Sequence, residues 1–101
     1  MESIIVTGKV GKRENFQPEK IHRAIKKSAD RVFIKLTEED CFSISSWVRN
    51  QIKNNEVSVE TIHNLVEKSL RINGFKEVAE SYMNYRNWRK KAALIILLTS
   101  Y

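Results

Sequence analysis

Apolar positions recur at helical spacing in four stretches of the chain. Ile21, Ala24, Ile25, Ser28, Ala29 and Val32 make a first stripe, and Cys41, Ile44, Val48 and Ile52 a second. Ile62, Leu65, Val66, Ser69 and Leu70 make a third, and Val78, Ala79, Tyr82, Met83 and Arg86 a fourth. Residues three and four apart share one face of a helix, so each stretch predicts an amphipathic helix. The helices are expected at about 18–33, 38–53, 59–73 and 75–98. Their ends carry local signals. Pro18 suits a first helical turn, with Glu19 beside the positive end of the dipole. Thr37 before Glu38, Glu39 and Asp40 reads as a capping hydroxyl followed by acids. Ser58 caps the third helix, and Asn73-Gly74 ends it, glycine supplying the left-handed conformation.

Ahead of the first helix the pattern changes. Ser3–Thr7 is a short β-branched run, Gly8 and Gly11 punctuate the residues after it, and two or three short strands are expected up to about Phe16. KNNE (53–56) reads as a polar break between helices. The expected fold is mainly α (α+β): a four-helix bundle capped by a small N-terminal three-stranded sheet or hairpin over 3–16, one domain spanning 1–101.

Composition narrows the function classes. With 101 residues the chain has no room for a separate catalytic module. The single cysteine, Cys41, leaves no internal disulfide or cysteine-rich zinc site and fits a reducing, cytoplasmic setting. No signal peptide is read at Met1–Val10, and the apolar run 92–98 is far shorter than the ~20 residues a membrane helix needs. Two histidines and one cysteine at unrelated places assemble no nucleophile–base pair and no metal cluster, so an enzyme active site is not expected.

The net charge of +6 is unevenly spread. Residues 1–27 hold seven basic and three acidic side chains, residues 28–74 six and seven, and residues 75–101 five and two. A fold that joins the two ends creates an anion site. Lys9, Lys12, Arg13 and Lys20 also gather around one turn. A solvated hairpin explains some of them and a phosphate explains all.

Three motifs in order then carry a resemblance. Lys9–Ile21 holds K-x-G, E-x-F and K-I; Val57–Glu67 reads V-S-V-E-x-I-x-x-L-V-E; Val78–Arg86 reads V-A-x-x-Y-x-x-Y-R. Over about residues 3–91 the chain resembles the ATP-cone, the nucleotide-binding regulatory domain of ribonucleotide reductase subunits. The resemblance implies a four-helix bundle under a three-stranded cap, with ATP or dATP bound between the cap and the helix ends. Magnesium is a candidate companion of the phosphates.

The resemblance also implies roles for particular residues. Lys9 and Lys20 match phosphate-binding positions, and Arg89 falls near the basic residue that the fourth helix contributes. Charged donors of this kind are the strong way to hold a triphosphate. Glu14 and Gln17 match base-contacting positions, an acceptor and a donor for the two edges of adenine, with Ile21 beside them. Val59, Ile62 and His63 form a third wall, His63 near the sugar, and Tyr85 shares a helix face with Arg89. Taken without the resemblance, the same residues read as solvated lysines, a hairpin-tip glutamate, a helix-capping glutamine and a surface or satisfied core histidine. Tyr82 and Tyr85 read as bundle core before base stackers. His22 is a further candidate behind the site. Two departures stand out: Gly8-Lys9-Val10-Gly11 lacks a basic residue and an acid that many cones carry, for which Lys12 or Arg13 would have to compensate, and Gln17 stands where an aspartate often follows the phenylalanine.

The function expected is that of an ATP/dATP-binding allosteric regulator, controlling reductase activity through nucleotide-dependent oligomerisation. Its partners would be an adenine nucleotide and other reductase subunits or domains, in a homo- or hetero-oligomer and without a membrane. The apolar tail, Trp88 and the outer face of helix two with Trp47 are candidate assembly surfaces. The alternatives are a nucleic-acid-binding regulator, suggested by the WRKK run 88–91, and an interaction module without a ligand. Nucleic acid is the disfavoured partner, since the cone-containing repressor of reductase genes carries a four-cysteine zinc ribbon that this chain lacks.

Overall fold

The computed structural model describes residues 4–8 and 11–99, and the side chains of these as far as Ala92. Seven elements occur in chain order: strands β1 (Ile5–Thr7) and β2 (Arg13–Asn15), helices α1 (Pro18–Arg31) and α2 (Glu38–Gln51), strand β3 (Glu56–Ser58), and helices α3 (Val59–Ile72) and α4 (Lys76–Thr99). The four expected helices and a three-stranded cap are therefore present.

The cap does not lie wholly within residues 3–16. β1 and β2 form an antiparallel hairpin, but the third strand arrives from residues 56–58 and pairs with β1 in parallel. Parallel neighbours need a long crossover, and the α1–α2 pair supplies it. A strand of three residues with one inward side chain has no visible period, so KNNE reads in sequence as a loop running straight into a helix. Gly11 turns the hairpin at φ 76°, a conformation that glycine adopts without strain. Alternation along the strands sets the faces: Val6, Glu14 and Val57 lie opposite one another, as do Thr7, Arg13 and Ser58 on the other face.

The helices pack in a ring, each mainly against its two neighbours: α1 on α2 and α4, α3 on α2 and α4. Ile25, Ile44, Val48, Val66, Leu70, Val78 and Ala79 are fully buried at the centre. Serines let the helices approach closely and keep their hydroxyls satisfied: Ser81 Oγ donates to Ser28 O (2.8 Å) and Ser69 Oγ to Ile44 O (3.1 Å). Thr37 and Asp40 make a reciprocal capping box at the start of α2.

Two helix ends show the same closing geometry with different residues. Gly74 (φ 86°) ends α3, with Phe75 N donating to Leu70 O (2.8 Å). Phe33 (φ 58°) ends α1, with Ile34 N donating to Ala29 O (2.9 Å). The second end uses a non-glycine residue, which no local signal announced. Trp47 is half-buried and packs against the core, so it is not an exposed assembly surface. The exposed aromatic side chain of α2 is instead Phe42, at 68% exposure. Most of the apolar tail 92–98 lies outside the described side chains.

Candidate functional site

Two cavities lie between the cap and the bundle and share a wall made by Ala24, Val59, His63 and Tyr82. The smaller, about 140 Å³, is lined by Val6, Glu14, Phe16, Gln17, Lys20, Ile21 and Ile62 besides that wall. The larger, about 580 Å³, adds Thr7 and Gly8 from the hairpin, Ser58 from the end of β3, Glu60 from the start of α3, and Tyr85, Arg86, Arg89 and Lys90 from α4.

The small cavity is positioned by three local facts. Strand alternation puts Glu14 on the same face as buried Val6. Gln17 occupies the N-cap of α1, yet its side chain makes no capping hydrogen bond and lines the cavity instead. Lys20 stands in the first turn of α1 and donates to Glu14 Oε1 at 2.9 Å. The Lys20 hydrogen bond, reinforced by its charge, holds the Glu14 carboxyl below the usual carboxylate range. A hydrogen-bond acceptor, an amide and an ammonium thus converge over Ile21, Val59 and Ile62.

The large cavity has a basic wall. Arg86, Arg89 and Lys90 stand at i, i+3 and i+4 on α4, so one helix face carries three cations. Two of them converge on an acid from α3. Arg86 Nη2 is paired with Glu60 Oε1, Lys90 Nζ lies 3.3 Å from the same oxygen, and Arg86 Nη1 donates to Asn64 Oδ1 at 3.0 Å. The Lys90 hydrogen bond and then the Arg86 charge lower the Glu60 carboxyl's pKa. His63 meets the Tyr82 ring edge-on at 6.0 Å, and burial pushes the Tyr82 hydroxyl up to about 12. Tyr85 stacks with Trp88 at 6.0 Å and has the Arg31 guanidinium 4.0 Å from its ring centre.

Most of the residues singled out in the sequence meet here: Glu14, Gln17, Lys20, Ile21, Val59, Ile62 and His63 around the small cavity, Arg89 and Tyr85 on the large one. Lys9 lies outside the described residues. Lys12 and Arg13 line neither cavity. Arg13, one residue from inward Glu14, turns away from both cavities and pairs with Glu56 at 3.2 Å. His22 faces α2, its Nε2 2.8 Å from Ser45 Oγ. Tyr82 is largely buried against the core, whereas Tyr85 is 39% exposed. Sequence reasoning missed Gly8, Ser58, Glu60, Arg86 and Lys90 as lining residues. The spacing of Arg86, Arg89 and Lys90 was the available signal, hidden because Arg86 also continues the apolar stripe.

The chain matches the ATP cone domain family over residues 4–91. It belongs to that family. ATP cone domains are regulatory domains that bind ATP or dATP as allosteric effectors. The cone is also similar to an anaerobic ribonucleoside-triphosphate reductase of Haemophilus influenzae, 34% identical over 95 residues. That alignment takes in 91% of the cone but spans only 13% of the length of the relative. No helix among the cone's described residues is long and apolar enough to cross a membrane.

Proposed function

We propose that this cone binds ATP and dATP in the paired cavities, adenine in the small one and phosphates toward the α4 wall. The observation that carries this reading is the convergence of Glu14, Gln17 and Lys20 in one cavity that opens beside Arg86, Arg89 and Lys90 in the next. Glu14 accepts from the exocyclic amine of adenine and Gln17 donates to the neighbouring ring nitrogen. Ile21, Val59 and Ile62 supply apolar contact for the base. Lys20, between the two functions, reaches the first phosphates, and the N-terminal turn of α1 adds backbone N–H groups and a favourable dipole. His63, on the shared wall, meets the sugar in this reading. No group of three or more metal-ligating side chains occurs among the described residues, so magnesium would be held through the phosphate oxygens.

Calorimetric titration with ATP, dATP, GTP, CTP and UTP tests the assignment. ATP and dATP are expected to bind, with GTP roughly tenfold weaker or worse, because guanine presents a carbonyl where Glu14 needs a donor. Equal affinities for all the triphosphates would remove base recognition and leave only an electrostatic trap.

The relative is a ribonucleoside-triphosphate reductase, which supports a regulatory role for this cone in such an enzyme. A switch needs a ligand with different affinity for two assembly states. In the full-length protein dATP is expected to shift the oligomeric state, and ATP to shift it less or the other way. Light scattering across a concentration series reads this. An identical mass distribution with dATP, with ATP and without nucleotide would refute the assembly switch.

A further inference from the structure

Arg86 is largely buried, its side chain only 13% exposed, while the Glu60 side chain that neutralises it is 53% exposed. A guanidinium cannot shed its charge, so buried Arg86 requires an anion. Glu60 and Asn64 are four residues apart on α3, and Arg86 and Lys90 four apart on α4, so the four side chains form one ladder across the two helices. Asn64 holds Nη1 independently of Glu60, which leaves the Arg86 fork anchored when the carboxylate turns away. Arg86 Nε, moreover, is buried without a hydrogen-bond partner, so the guanidinium is not saturated by its present neighbours. All of this borders the large cavity.

We propose that Glu60 is a resident counter-ion, occupying the Arg86–Lys90 pair until nucleotide phosphates displace it. The proposal rests on the adenine-nucleotide reading above and adds what the phosphates must remove. Phosphate oxygens offer Arg86 the same two-oxygen geometry as a carboxylate, and they bring more negative charge. Glu60, already half-exposed, swings to solvent at little cost. Binding is therefore an exchange of anions at an existing cation pair, and the competition between Glu60 and phosphate sets the affinity. The low pKa of Glu60 keeps it charged, so the competition operates throughout the neutral range.

Glu60→Gln removes the competing charge while keeping the size of the side chain. ATP is expected to bind about tenfold more tightly to this variant, and adenosine, which has no phosphate, with unchanged affinity. If Glu60 is only a staple between α3 and α4, the variant instead melts lower and binds ATP no better, which overturns the proposal. An equal gain for adenosine overturns it too. A second measurement does not depend on the variant. The Arg86 Nε–H resonance of the unaltered protein, read by nitrogen-15 NMR, should shift with inorganic tripolyphosphate and with ATP but not with adenosine. A resonance that stays still while ATP binds refutes the exchange. If the unaltered protein binds no ATP at all, the nucleotide reading itself has failed, a result separable from either.

Discussion

Replacing Lys20 by alanine is expected to lower the affinity for ATP by about ten- to hundredfold, the usual consequence of losing a charge-assisted bond. Two effects act in the same direction. The ammonium no longer meets the phosphates, and Glu14, now 2.9 Å from Lys20 Nζ, is left as an uncompensated negative charge in the cavity. The melting temperature should hardly move, because the pair sits at the surface, where ion pairs contribute little to folding. Arg13→Ala is the matching control. It removes a cation from the same hairpin but one turned away from both cavities, so ATP affinity should stay close to that of the unaltered protein. Calorimetry on both variants decides the matter. A lower melting temperature with unaltered ATP affinity in Lys20→Ala would make the lysine structural and move the phosphate site elsewhere.

Leu70→Ala should produce the largest loss of stability. Leu70 is fully buried where α3 meets the rest of the bundle, and a cavity left by deleting such a side chain costs about 2–5 kcal/mol. For a domain of this size that lowers the melting temperature by about 10 °C or more. Ile72, two residues on in the same helix, is 57% exposed, and its replacement by alanine should change stability by no more than ~0.5 kcal/mol. Thermal unfolding followed by circular dichroism compares them. Similar losses in the two variants would contradict the orientation of α3. The contrast also bears on the site, since the same rotation of α3 that buries Leu70 turns Val59, Ile62 and His63 to the cavities.

Local chemistry made much of the molecule legible. A stripe such as Ile21, Ile25, Ala29 needs only the period of one helix to be recognised, and Thr37 with Asp40 or Asn73 with Gly74 needs only four consecutive residues. The α1 terminus at Phe33 is less legible because its left-handed residue is not glycine, and the apolar stripe by itself predicts helix for two residues more. Trp47 and Phe42 show a related limit on α2. Both are aromatic, but burial depends on how far the helix rotates against α1 and α3, and Phe42 is the one left exposed.

By itself, then, the sequence determined four amphipathic helices, a hairpin ahead of them and the motif order of an ATP cone, because each depends on residues close together in the chain. Only the tertiary structure decided that β3 completes the cap in parallel, since a three-residue strand declares itself through a backbone partner some fifty residues away. It also decided which cations face the cavities. Arg13 and Glu14 are neighbours in sequence, yet the sheet sends one outward to Glu56 and the other inward to Lys20. Glu60 and Arg86 are 26 residues apart and meet because α3 and α4 pack side by side. Charge alone does not specify a partner. The partner is whichever opposite charge the packing of the apolar faces brings within reach.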